Sequence, residues 1–119
     1  MTARAATRFN NWDTVRYELL NTRICDLSVQ IEDSPLEPFI RRLYRELSAK
    51  HLIFRPTCYL TDSWGCPDRV PVIGIPFYLA DERLRRIEEE QTGEVEDAHT
   101  IMMLLRHEAA HAFNYAYRF

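Results

Sequence analysis

The C-terminal part of this sequence is the feature that most constrains the fold. After Gly93 the chain contains neither glycine nor proline, and residues 101–105 form a wholly apolar run. An apolar helical turn of this kind is stable only when other parts of the chain bury it. We therefore predict a helix that begins near Glu96 or Asp97, continues to the last residue and packs into the core.

The same segment carries a metal-binding pattern, because His107, Glu108 and His111 have the HExxH spacing. Residues four apart lie on one face of a helix, so both imidazoles can reach one metal ion. Glu108 follows His107 by one residue and is therefore turned by about 100° around the helix axis. It can act beside the metal ion without being a ligand. The spacing therefore predicts a zinc ion (Zn2+) held by His107 and His111. The alternative is a helix whose two histidines and one glutamate are ordinary polar residues.

The residues from His107 to His111 resemble the active-site motif of the zincin metallopeptidases. The resemblance implies that both histidines bind zinc, that Glu108 is the catalytic general base, and that the substrate is a peptide or protein. Zincins also place an edge strand roughly thirty residues before the motif, and the substrate backbone pairs with the free side of that strand. Residues 70–79 lie at about that distance, and their two prolines favour an edge strand.

Two departures narrow the resemblance. Metzincins extend the motif to HExxHxxGxxH, but Asn114 and Tyr117 occupy the glycine and third-histidine positions here, so the sequence is gluzincin-like. Gluzincins take their third ligand, a glutamate, from a later helix, and no glutamate follows His111. We therefore expect the chain to be the N-terminal portion of a zincin-like metallopeptidase, incomplete and inactive by itself.

A third ligand from within the chain also stays open. Asp62, Cys66 and Asp68 lie in a loop, and their side chains are of types that bind zinc. Asn114 and Tyr115, about one turn beyond His111, are candidates to support the ligating imidazoles by hydrogen bonds. The sequence thus leaves two sources for the third ligand, this loop and a later part of the protein.

The rest of the chain mixes helical and strand-like patterns without strict alternation. Ser34, Pro35 and Glu37 form a helix start, and Asp81 and Gly93 bracket a charged helix. The expected elements are a loose start over residues 1–10, helices over 11–20, 34–51 and 82–91, and strands over 27–31, 52–60 and 70–79. We therefore predict an α+β fold: a small mixed sheet with an edge strand, packed against amphipathic helices and ending in the HExxH helix.

Composition places the chain among ordinary globular proteins. Its 119 residues suit a single domain, and 46% of them are apolar. A net charge of −3 disfavours nucleic acid as a partner, and no apolar stretch reaches membrane-spanning length. Cys25, Cys58 and Cys66 lack metal-type spacing and form an odd set, which favours reduced thiols in a cytoplasmic protein.

Three functions are compatible with these patterns. The leading one is zinc-dependent hydrolysis of peptide bonds, with Glu108 as general base. The second is a non-catalytic protein-interaction module whose HExxH is vestigial or accidental and whose aromatic C-terminal helix is the contact surface. The third keeps the zinc ion but hydrolyses a bond other than a peptide bond. The exposed end of the last helix also predicts a homodimer.

Overall fold

The computed structural model describes residues 2–23 and 26–117, with side chains described for residues 11–23 and 26–117. Within these residues the chain combines helices with a small parallel sheet, so the α+β prediction is confirmed. The elements are helices α1 (Thr2–Leu20), α2 (Glu37–Ala49), α3 (Glu82–Thr92) and α4 (Ala98–Tyr117), strands β1 (Thr57–Thr61) and β2 (Val72–Pro76), and one 3-10 turn (Phe77–Ala80).

The last helix, α4, spans Ala98–Tyr117, and the final two residues of the predicted helix lie outside the described residues. Asp97 caps α4, because its Oδ1 accepts a hydrogen bond of 2.8 Å from the backbone N–H of Thr100. The apolar run turns inward, and the HExxH motif lies within α4. The buried residues of this helix are Ile101, Met102, Leu105, Glu108, Ala109 and Ala112. Glu108 is therefore the one charged residue on the buried side of the described helix.

Helix α3 follows its predicted signals, but α2 is shorter than the predicted range of 34–51. Helix α2 spans Glu37–Ala49, and its N-cap residue is Leu36 rather than Ser34, without a side-chain cap. The Ser34 hydroxyl instead accepts from the backbone N–H of Leu36 at 3.2 Å, in the turn before the helix. Asp81 caps α3 by accepting from the N–H of Arg83 at 2.8 Å. Gly93 ends α3 in the left-handed conformation, with φ of 83°, which glycine adopts without a steric penalty.

The first third of the chain departs from the expected elements in two places. The first helix was expected over residues 11–20, but α1 spans Thr2–Leu20. Residues 27–31 were expected to form a strand, but no strand forms there. Their burial still alternates, and Val29 and Ile31 pack on the core. A strand also needs a partner's backbone, and alternation alone does not supply one.

The sheet places β1 and β2 side by side in parallel, with Thr57 opposite Val72 and Thr61 opposite Pro76. The connection between them is short for a parallel pair and contains no helix. Instead the chain passes along the other side of β2. There Gly65 forms an isolated antiparallel bridge with Gly74.

This bridge corrects one expectation about residues 70–79. They were expected to contain an edge strand with a free side for substrate. The strand β2 is indeed an outer strand of the two-stranded sheet. However, Gly65 donates to the Gly74 carbonyl at 3.1 Å and accepts from the Gly74 N–H at 2.7 Å, so the middle of that free side is covered.

The core lies where α4 packs on α2 and β2. Its largest fully buried apolar side chains are Leu36, Leu43, Ile73, Ile75, Leu79, Met102 and Leu105. Burying each such side chain contributes about 1.5–3 kcal/mol. At the edge of this core Glu46 of α2 accepts two hydrogen bonds from Arg106 of α4, at 2.8 and 2.7 Å. The contacts with α2 and β2 therefore fix the position of α4.

Candidate metal centre

The two histidines of the motif lie together on the exposed side of α4. Both side chains are exposed, and their Nε2 atoms are 3.2 Å apart. The imidazole rings are nearly perpendicular, with an interplanar angle of 82° and ring centroids 4.7 Å apart. Helical spacing thus brings His107 and His111 together without help from any other element.

The distance between these nitrogens suits a shared zinc ion. Two imidazole nitrogens at about 2.0–2.1 Å from a tetrahedral zinc are about 3.3 Å apart. The observed separation of 3.2 Å between Nε2 of His107 and Nε2 of His111 is close to that value. The pair therefore fits as two adjacent ligands of one tetrahedral ion.

Glu108 has a different environment from its two neighbours. Its side chain is only 9% exposed, whereas both histidines are exposed. The one-residue offset places it on a different side of the helix from His107. Burial and the nearby negative charge of Glu108 raise the pKa of the Cys66 thiol. A largely desolvated carboxylate is thus held beside the two exposed imidazoles.

The same loop also approaches α4 one turn beyond the motif. The Tyr115 hydroxyl donates to Oδ1 of Asp68 at 3.4 Å. Tyr115 is four residues after His111 and therefore lies on the same side of the helix. Two of the three loop candidates, Cys66 and Asp68, accordingly lie close to α4, and Asp62 makes its side-chain hydrogen bond with Thr61 instead.

A complete ligand set is not assembled in the described part of the chain. No group of three or more His, Cys, Asp or Glu side chains among the described residues is arranged to hold a metal ion. Cys66 instead donates its thiol hydrogen to the carbonyl of Val70, at 3.3 Å. Among the described residues, His107 and His111 therefore form a pair without a third candidate ligand beside them.

The two residues expected to support the ligands have separate places. Tyr115 contacts Asp68, as described above, and is half-buried. Asn114 is exposed and lines a groove between α2 and α4, together with Leu47 and Phe113. A supporting role for either residue stays a prediction.

One set of contacts at the start of α4 has no signal in the sequence. The indole N–H of Trp64 donates to the Glu96 carboxylate at 2.7 Å, and the Tyr78 hydroxyl donates to both oxygens of that carboxylate, at 2.8 and 3.0 Å. Arg85 donates to the backbone carbonyl of Glu96 at 3.1 Å. Burial and the bond to Glu96 raise the pKa of Tyr78. These residues are far apart in the sequence, so no local sequence pattern predicts their contacts.

Comparisons with known proteins assign no family. No protein-family model, curated protein or solved structure matches the chain. Among the described residues, no helix combines the length and the apolar character needed to cross a membrane. The functional argument therefore depends on α4 and on the loop packed against it.

Proposed function

We propose that this chain is a zinc-dependent metallopeptidase domain of the zincin type, in which His107 and His111 bind the metal ion and Glu108 is the general base. The observation that carries the proposal is the 3.2 Å separation of the two Nε2 atoms, which suits adjacent ligands of one tetrahedral ion. The third ligand is expected from a movement of the loop that carries Cys66 and Asp68, or from a group outside the described residues.

The three residues of the motif would have separate roles in catalysis. When bound, zinc supplies a Lewis acid that polarises the peptide carbonyl and makes water acidic, with a pKa of about 7. His107 and His111 would hold the ion through Nε2, and each Nδ1–H would then have to donate to a carbonyl, a carboxylate or water. Glu108 accepts a proton from the attacking water and then delivers it to the nitrogen of the leaving amine.

The burial of Glu108 supports this division of roles. A carboxylate that is 9% exposed is shielded from competing water, so its interaction with a nearby proton or cation is stronger than at the surface. The exposed histidines, in contrast, are open to an ion from solvent. A cytoplasmic location stays part of the proposal, because an odd set of three cysteines without metal-type spacing favours reduced thiols.

The first test is the zinc content of the protein, measured by elemental mass spectrometry after purification without chelators or a metal-affinity tag. We expect about one zinc ion per chain. His111→Ala should lose it, and His99→Ala is the matched control, because His99 is an exposed histidine at the start of the same helix. Absence of zinc from the unaltered protein, or its retention in His111→Ala, would contradict the proposal.

A protein-interaction function is the second candidate, and exposed apolar side chains on α4 favour it. Met103 is 51% exposed and Tyr117 is 45% exposed. However, the rings of Phe113 and Tyr117 also pack on Phe54, at centroid distances of 5.7 and 5.9 Å, so part of the aromatic end is used within the chain. The predicted homodimer through α4 can be checked by light scattering. A monomer at every accessible concentration would contradict it.

A further inference from the structure

The groove between α2 and α4 has no role in the proposed catalytic function. Its volume is about 340 Å³, which is within the range of small-molecule sites. None of the three motif residues, His107, Glu108 and His111, lines it. Most of the lining is apolar and consists of Leu43, Leu47, Leu52, Ala109, Ala110 and Phe113. The groove is therefore a concave site separate from the candidate metal centre.

The groove exists because small side chains of α4 lie between large ones. Towards the start of the helix, Arg106 forms an ion pair with Glu46 of α2 at 2.7 Å. Two turns later the ring of Phe113 lines the other end. The turn between them faces the groove with only the methyl groups of Ala109 and Ala110. At 1.5 Å per residue the groove extends about 10 Å along α4, and it is bounded at both ends.

Two polar side chains at the groove have no partner in the described part of the chain. Lys50 is the C-cap residue of α2, and Asn114 follows Ala110 by one turn of α4. Both line the groove and are exposed. Among the described residues, neither the Lys50 ammonium nor the Asn114 amide forms a hydrogen bond or an ion pair. The groove thus offers hydrogen-bond donors that are free to bind a ligand.

The charges that line the groove leave one positive charge uncompensated. Arg106 is paired with Glu46, so these two charges offset each other. Lys50, the only lysine of the sequence, carries the remaining charge. An apolar lining with one free cation complements a ligand that has an apolar body and a single negative charge.

We propose that this groove binds an aliphatic carboxylate, whose chain lies over Ala109 and Ala110 and whose carboxylate accepts hydrogen bonds from Lys50 and Asn114. A medium-chain fatty acid such as decanoate has this chemistry and suits the bounded length. A polypeptide suits the groove less well, because the apolar lining would leave its backbone N–H and C=O groups without partners. The inference does not depend on the metal centre and adds a second ligand to the chain.

The position of Lys50 makes its charge important for this ligand. The C-terminal end of α2 carries a partial negative charge, which by itself disfavours an anion. The Lys50 ammonium offsets this effect and supplies the ion pair. Lys50→Met keeps an unbranched apolar stem and removes the charge, so it tests the carboxylate end. Ala110→Leu fills the middle of the groove and tests the chain end.

The test is calorimetric titration of the full chain with hexanoate, octanoate and decanoate, each below its micelle-forming concentration. Decyltrimethylammonium has the chain length of decane and a positive charge, and it serves as the control ligand. The matched control variant is Arg45→Met, because Arg45 is an exposed cation of the same helix but does not line the groove. Urea unfolding with and without decanoate shows whether each variant is folded.

We expect one decanoate per chain, with a Kd that falls by up to about fourfold for each methylene added. Lys50→Met should weaken decanoate binding about fivefold, the effect of losing one partly exposed ion pair. Ala110→Leu should abolish measurable binding, and Arg45→Met should leave the Kd unchanged. Decanoate should lower the unfolding equilibrium constant of the unaltered protein by the factor 1 + [decanoate]/Kd. If Ala110→Leu does not fold, Ala110→Met replaces it with a more adaptable side chain.

Four outcomes would overturn the inference. The first is absence of decanoate binding to the unaltered protein. The second is equal affinity for decyltrimethylammonium, which would mean that the charge of the ligand is not recognised. The third is an unaltered Kd in Ala110→Leu, which would place the ligand elsewhere on the surface. The fourth is an unaltered Kd in Lys50→Met, which would mean that the groove accepts apolar chains without binding their carboxylate.

Discussion

The two sides of α4 differ in what their residues contact. On one side Met102, Leu105 and Ala109 are buried against α2 and the sheet. On the other side His107 and His111 are exposed and make their close contact with each other. The position of the helix is therefore set by side chains that cannot bind zinc, and the candidate ligands add little to stability. Substitutions on the two sides should accordingly have separable effects.

Glu108 is an exception to this division, and its substitution has the largest expected effect on activity. It lies on the buried side but is proposed to act at the exposed one. Glu108→Gln keeps the shape of the side chain and removes its ability to accept a proton. In a zinc-loaded form that cleaves casein, we expect the rate to fall about 10²–10⁴-fold, the usual contribution of a general base.

The control for this prediction is the zinc content of Glu108→Gln, which should stay unchanged because Glu108 is not a ligand. The unfolding free energy of the variant should rise slightly, since a buried neutral amide is less costly than a buried charge. Full activity in Glu108→Gln would show that another group accepts the proton. Loss of zinc would show instead that Glu108 is a ligand.

The second prediction concerns the buried side alone. Leu105 is completely buried, and Leu105→Ala should lower the unfolding free energy by about 2–5 kcal/mol, because it removes buried methyl groups and leaves a cavity. Met103 lies on the same helix but is 51% exposed, so Met103→Ala should change it by less than about 0.5 kcal/mol. Urea unfolding measures both. Equal effects would mean that α4 is not buried on one side only.

The sequence predicted α4 well because all its signals are local. The apolar run, the capping Asp97 and the HExxH spacing lie within one helix, and 3.6-residue periodicity converts spacing directly into geometry. The same is true of α3, where Asp81 and Gly93 mark both ends. The two imidazoles lie together because of helical spacing alone, without contacts from other elements.

The loop beside α4 could not be predicted in the same way. The bridge between Gly65 and Gly74 joins two segments whose pairing depends on how the chain passes β2. The bond between Trp64 and Glu96 spans 32 positions of the sequence. The failure at residues 27–31 has a related cause, since the alternating burial is present but neither of the two described strands pairs with this segment. Local patterns predict which side chains are buried, but not which backbones meet.

The ion pair at the edge of the buried side gives the smallest expected effect. Hydrogen bonds from Arg106 hold the pKa of Glu46 at about 2, against about 4.3 for glutamate in an unfolded chain. Because the pKa of Glu46 is lower in the folded state, the ion pair stabilises the folded state fully at pH values above the pKa of the unfolded chain. The contribution is lost as the pH falls from about 4.5 towards 2.

The prediction is that Glu46→Gln lowers the unfolding free energy at pH 7 by no more than about 1 kcal/mol, since both side chains are partly exposed and solvent screens them. The difference between the two proteins should shrink below pH 4 and vanish near pH 2. Urea unfolding at several pH values measures it, with the exposed Glu94→Gln as the reference for a surface carboxylate. A difference that persists at pH 2 would mean that Glu46 holds α2 to α4 by packing rather than by charge. The packed side of α4 would then include Arg106 and Glu46.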